Sequence, residues 1–225
     1  MTSSILHHLV LKDWYLHRAG IIGAMGLGAI ALLLIGVNSK TAFYVGSILL
    51  ITAVIGVGIY LVFMTTIQEK KDKTLPFVMS LPISARQYTR AKLLANLLIF
   101  ILPWSIFMTA TIVVIAARET LPNGLIPLAV LSLTEIFAAF SLLLGIALVT
   151  ESEGWTITAL VVGNLSFNFF LYFVSQIPSI GPHIEGPIAV WSPAVFWVLF
   201  VEIVTIVLTL GLTFYFQGRK KDFIF

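Results

Sequence analysis

The chain has no cysteine, which excludes disulfides and thiolate metal sites. Charge is also scarce. Asp, Glu, Lys and Arg make up only 10% of 225 residues, where a soluble domain carries about 25%. There is no G-x-x-x-x-G-K-[ST] phosphate loop and no H-E-x-x-H zinc motif. The chain therefore carries neither an ATPase motor nor a metalloprotease centre of those kinds. The acidic pair Glu151 and Glu153 is too small a cluster for a lipid-phosphate transferase, which needs several acids grouped at the membrane face. Nothing in the pattern favours an enzyme.

What the chain has in excess is apolar residues, 59% of the total, with a mean hydropathy of +1.05. A soluble core of this size cannot hide that much apolar surface, so the class is an all-α polytopic membrane protein. A helical crossing takes about 20 mostly apolar residues. Six stretches qualify: 20–37, 42–67, 93–117, 125–149, 155–177 and 192–216. The first is followed at once by another, so it reads as a retained span and not a signal peptide. No linker or tandem repeat divides the chain, and residues 1–225 form a single transmembrane domain.

The connections set the orientation. Of the 13 Lys and Arg, only Lys40 and Arg118 fall between spans on one side. The rest lie in the N-terminus, in 68–92 and in the C-terminus, all on the other. The positive-inside rule places that side in the cytoplasm, with both termini. The expected location is the cell's inner (plasma) membrane. The net charge of +3 then concerns topology and anionic membrane lipids, not nucleic acid. Trp14, Tyr15, Trp155, Trp191 and Trp197 fall near span ends, where aromatic side chains favour the headgroup level.

Two segments outside the spans carry a pattern. In Ser3–Arg18, Ile5, Leu6, Leu9, Val10 and Trp14 recur at helical spacing, with His7, His8, Lys12 and Asp13 largely on the other side. This predicts an amphipathic interfacial helix. The adjacent histidines point to different faces and make a poor metal pair. The second segment, Gln68–Lys92, is the one long polar interruption. Thr74 is placed to cap a helix, Pro76 falls in its first turn, and Leu75, Val78 and Met79 give it a small apolar face. Pro82 stops it at Leu81, and Ser84 caps the helix that enters span three. The result is a two-turn stub on the membrane surface. Taken by its residues alone, it is equally a polybasic loop for anionic lipid.

The run Gln68-Glu69-Lys70-Lys71-Asp72-Lys73-Thr74-Leu75-Pro76-Phe77-Val78-Met79-Ser80-Leu81-Pro82-Ile83-Ser84, with Ala91-Lys92-Leu93-Leu94 after it, resembles the segment between spans two and three of type-2 ABC-transporter permeases. The match lies at Glu69, Thr74, Leu75, Leu81, Pro82, Ile83, Ser84, Ala91 and Lys92. The chain departs from the family at Lys73, where Gly is usual, and at Pro76, where Glu is usual. The resemblance implies a cytoplasmic coupling helix that docks on a separate ABC ATPase through Glu69, Thr74, Leu75, Phe77, Val78, Met79, Leu81 and Pro82. It also implies a second permease, identical or paralogous, and ATP and Mg on the partner ATPase, with no cofactor on this chain. The cargo would be hydrophobic or amphipathic: a drug, a peptide or a lipid-like molecule. A haem-export-type permease of cytochrome maturation has similar size and span count. A non-transporting scaffold that binds an ATPase or lipid stays open beside both.

Within the spans, Glu135 and Glu202 interrupt apolar runs at similar expected depth. Carboxylates there line a substrate path or hold helices together. Asn164 and Asn168 lie one turn apart on span five, where amides hydrogen-bond between helices, face a pore or join two copies. Gly20, Gly23, Gly26 and Gly28 in span one permit close helix approach. The stretch Ile177–Ser192, rich in Pro and Gly, reads as a re-entrant turn or short helix pair on the outer side. His183 and Glu185 stand alone there and make no metal site.

Overall fold

The computed structural model describes the backbone of residues 2–68, 71 and 85–219, with side chains over 11–68, 71 and 90–217. Six long helices follow in order: α1 (Thr2–Ile35), α2 (Lys40–Val62), α3 (Ala85–Ala117), α4 (Leu125–Thr150), α5 (Glu153–Gln176) and α6 (Pro193–Arg219). Each contains a stretch long and apolar enough to cross a membrane, from Leu11–Ile35 to Pro193–Gln217. No strand occurs among the described residues.

Helix α1 runs unbroken for 34 residues, so the expected interfacial segment and the first span are one helix. No proline interrupts it, and a glycine such as Gly20 costs a helix only about 1 kcal/mol. Helices α1 and α2 form an antiparallel hairpin through a short turn, with Ser39 Oγ accepting from the Ala42 N–H at 3.5 Å. They approach closely at Gly46, where an added Cβ would meet the Ala31 carbonyl at 2.7 Å and the Ile35 nitrogen at 2.8 Å. Of the span-one glycines, Gly20 faces Tyr60 and Gly28 faces Phe107, whereas Gly23 and Gly26 meet nothing within 4 Å.

Helix α4 is the centre of the bundle. Of its most apolar stretch, 61% is buried, against 11% in α5 and in α6. It packs on α2, α3, α5 and α6. Phe100 of α3 stacks on Phe140 of α4 with ring centroids 3.9 Å apart. Beside them the Trp104 Nε1–H donates to the Leu133 carbonyl at 2.7 Å. Glu151 ends α4 in the left-handed region, φ 50°, and α5 starts two residues later, so α4 and α5 are antiparallel. Helix α6 runs parallel to α4. Leu131 and Val195 share a cluster at one end, an added Cβ at Gly145 would meet Thr213 Oγ1 at 2.6 Å, and Gln217 Nε2 donates to the Leu148 carbonyl at the other.

The stretch between α5 and α6 holds a single short 3-10 turn, Gly181–His183, in place of a helix pair. It folds against the same end as Leu131 and Val195 through buried Ile180. The Gly124 N–H donates to the Gly186 carbonyl at 3.0 Å.

Candidate functional site

The expected coupling residues Glu69, Thr74, Leu75, Phe77, Val78, Met79, Leu81 and Pro82 lie outside the described residues. The structure does describe both roots of that segment. On the entering side α2 passes into a π-helical turn, Phe63–Gln68. Such turns are well under 1% of residues and concentrate at functional sites. The Thr65 hydroxyl lies 2.8 Å from the Leu61 carbonyl oxygen, a back-bond that competes with the helical ladder. It also lies 2.9 Å from Asn96 Oδ1 on α3, and it shares its proton between the two.

On the returning side, Lys92 Nζ sits 3.1 Å from Asp13 Oδ2 and 3.4 Å from Oδ1. The two side chains are 4% and 2% exposed. One turn along α3, Asn96 Nδ2 donates to the Lys92 carbonyl at 2.9 Å. Asp13, Lys92, Asn96 and Thr65 thus tie α1, α2 and α3 together through buried polar contacts. This corrects the expectation that Asp13 belongs to a polar outer face and that Lys92 joins the surface bases. Each charge can leave water because the other accompanies it. The signal in the sequence was slight: Asp13 and Lys92 stand just outside the apolar stretches 20–37 and 93–117, with opposite charge.

The same end of the bundle gathers further contacts. Lys71 Nζ lies 2.8 Å from Glu153 Oε2 at the start of α5. The Arg90 guanidinium lies 4.8 Å from the centre of the Phe214 ring on α6. The described bases Lys71, Arg90 and Lys92 therefore lie at one end of the molecule.

Deeper in the bundle, Glu135 and Glu202 lie on neighbouring parallel helices, ten and seven residues before the Gly145 and Thr209 contact pair. Glu202 is buried, and neither of its carboxylate oxygens has a hydrogen-bond partner. Glu135 is half-buried. Asn164 and Asn168 lie on the exposed side of α5 instead. The Asn164 amide donates to the Leu160 carbonyl at 3.0 Å and the Asn168 amide to the Asn164 carbonyl at 2.9 Å. An apolar crevice of about 40 Å³ opens between α2, α4 and α5, floored by Phe100, Phe140 and Phe167 with Asn164 at its edge. Neither carboxylate lines it. Among the described residues no group of three or more His, Cys, Asp or Glu could hold a metal ion.

Comparison with known proteins leaves the geometry to stand by itself: no family model matches the chain, and no curated protein or solved structure matches it significantly.

Proposed function

We propose that the chain is the transmembrane permease subunit of an ATP-driven ABC exporter. It docks on a separate cytoplasmic ATPase through residues 69–82, pairs with a second permease, and moves a hydrophobic or amphipathic substrate outward. One observation carries this reading. The polar segment whose residues resemble a coupling helix leaves and re-enters the bundle over a buried network, Thr65–Asn96–Lys92–Asp13, that joins three spans. A loop that only bound lipid would need no such rigid base. A segment that receives force from a motor does, because displacement must reach the spans and not dissipate in side-chain motion.

The remaining geometry supports the same reading. Basic residues collect at the end where the roots of the segment lie, which supports a cytoplasmic side there by the positive-inside rule. With no phosphate loop on this chain, ATP and Mg belong to the partner. The exposed amides of α5 suit contact with a second permease better than contact with lipid, which offers them no hydrogen bond.

The test is a mild-detergent pull-down of the tagged chain beside Val78→Asp, with mass spectrometry and an ATPase assay. A soluble ATPase should accompany the wild type and be lost with the variant. Its hydrolysis should rise with amphipathic candidates. Binding without stimulation would point to a scaffold. Absence of any ATPase across several detergents would overturn the proposal.

A further inference from the structure

We propose that the π-helical turn ending α2 is a two-position joint, in which either Thr65 or Thr66 presents its hydroxyl to Asn96. The Asp13–Lys92 pair holds α1 and α3 together as the fixed side of that joint. The inference takes its purpose from the permease reading, but its existence is independent of it.

A π turn holds one residue more than an α turn needs. If the surplus residue passes from one side of a position to the other, the chain there advances by one residue, a rotation of about 100° around the helix axis. For most sequences such a shift trades a matched side chain for an unmatched one. Here the two neighbours are identical. Thr65 bonds to Asn96 Oδ1 at 2.9 Å, and Thr66 Oγ1 is buried with no hydrogen-bond partner. A one-residue advance releases one threonine hydroxyl and engages the other, so the bond to Asn96 is made in both positions. That is a degeneracy a tandem pair of hydroxyl residues supplies.

The acceptor, meanwhile, is immobile. Asn96 is fixed by its own amide to the Lys92 carbonyl at 2.9 Å, and Lys92 is fixed to Asp13 on α1 at 3.1 Å. The joint is therefore between α2 on one side and α1 with α3 on the other. It stands immediately before residue 69, so a shift turns whatever follows Gln68. Conversely, force on that segment selects a position of the joint and moves α2 against the other two helices.

The chain's lack of cysteine makes the test direct. Spin labels at Met64→Cys and Leu94→Cys, both outward-facing positions, report the α2–α3 relation by pulsed electron resonance in nanodiscs of the permease alone. Two distance populations are expected. Thr66→Val, which removes the hydroxyl at constant shape, should leave only one of them, and Thr65→Val only the other. Thr66→Ser, which keeps the hydroxyl, should restore both and shows that loss in the valine variant is not misfolding. A single population that neither valine variant alters would overturn the proposal, as would both variants shifting it the same way. Two populations in a chain that never captures an ATPase would keep the joint and remove the permease reading. An ATPase-bound chain with one invariant distance would do the reverse.

Discussion

Removing one member of the Asp13–Lys92 pair is expected to harm the protein more than removing both. At 3.1 Å and an effective dielectric of about 20, the pair attracts by about 5 kcal/mol. Withdrawing each ion from water costs several kcal/mol, so the pair as a whole contributes little net stability. Asp13→Asn strips buried Lys92 of its carboxylate, a loss of up to about 3–5 kcal/mol; Lys92→Met leaves Asp13 beside the half-exposed Lys12, 3.5 Å away, and should cost less. The double variant Asp13→Leu with Lys92→Met leaves neither charge and should lie within about 1 kcal/mol of wild type or above it. For a chain of this length each kcal/mol moves the melting temperature by about 2–4 °C. Asp13→Asn should therefore melt on the order of 10 °C lower in thermal unfolding of the purified protein in detergent, Lys92→Met by less, and the double variant close to wild type. Because both side chains are almost fully buried, raising salt to molar concentration should leave the pattern intact. An Asp13→Asn variant that melts with wild type, or a double variant as unstable as that single one, would refute a buried pair.

Other outcomes follow from individual contacts. Gly46→Val should lower the melting temperature sharply, since its Cβ meets the Ala31 backbone at 2.7 Å, whereas Gly23→Ala, with nothing within 4 Å, should raise stability by up to about 1 kcal/mol through helix propensity. Glu202→Met removes two buried oxygens without partners and should stabilise the fold by about 1–3 kcal/mol; a lower melting temperature would mean the carboxyl is held by contacts the described geometry lacks. Trp104→Phe loses the 2.7 Å bond to the Leu133 carbonyl and should cost about 1 kcal/mol or slightly more, read in the same unfolding assay. If α5 meets a second copy, Asn164→Ala with Asn168→Ala removes about 1–2 kcal/mol of interhelical bonding, weakening self-association roughly tenfold by fluorescence energy transfer between labelled chains.

Most span boundaries could be read from hydropathy. The expected spans 42–67, 125–149, 155–177 and 192–216 fall within a residue or two of Lys40–Gln68, Leu125–Thr150, Glu153–Gln176 and Pro193–Gln217. Apolar runs bounded by Gly, Pro and charge leave little choice of register. The start of α1 was less readable, because a polar face beside an apolar one suits either an interfacial helix or the continuation of a span. The base of the bundle was hidden for a different reason. Asp13 and Lys92 are 79 residues apart, and composition assigns each by its own neighbours. The π turn leaves no mark in periodicity, since Thr65 and Thr66 look alike on either helix face. The placement of Glu135 and Glu202 was half visible: similar depth could be read from span ends, but that they lie on neighbouring helices depends on α6 packing parallel to α4.

The central place of α4 also bears on how the protein is made. Helix α4 leaves the ribosome with Glu135 in an otherwise apolar stretch, before the helix that covers that side of it exists. Its partner α6 starts at Pro193, some sixty residues later, and only then can α6 cover that side of α4. In that interval α4 must be retained beside the insertion machinery or shielded by an insertase, while the α1–α2 hairpin, complete much earlier, is free to move off and pack. Truncation between α5 and α6 should therefore yield a product less stable than the full chain, even though five of its six spans are intact.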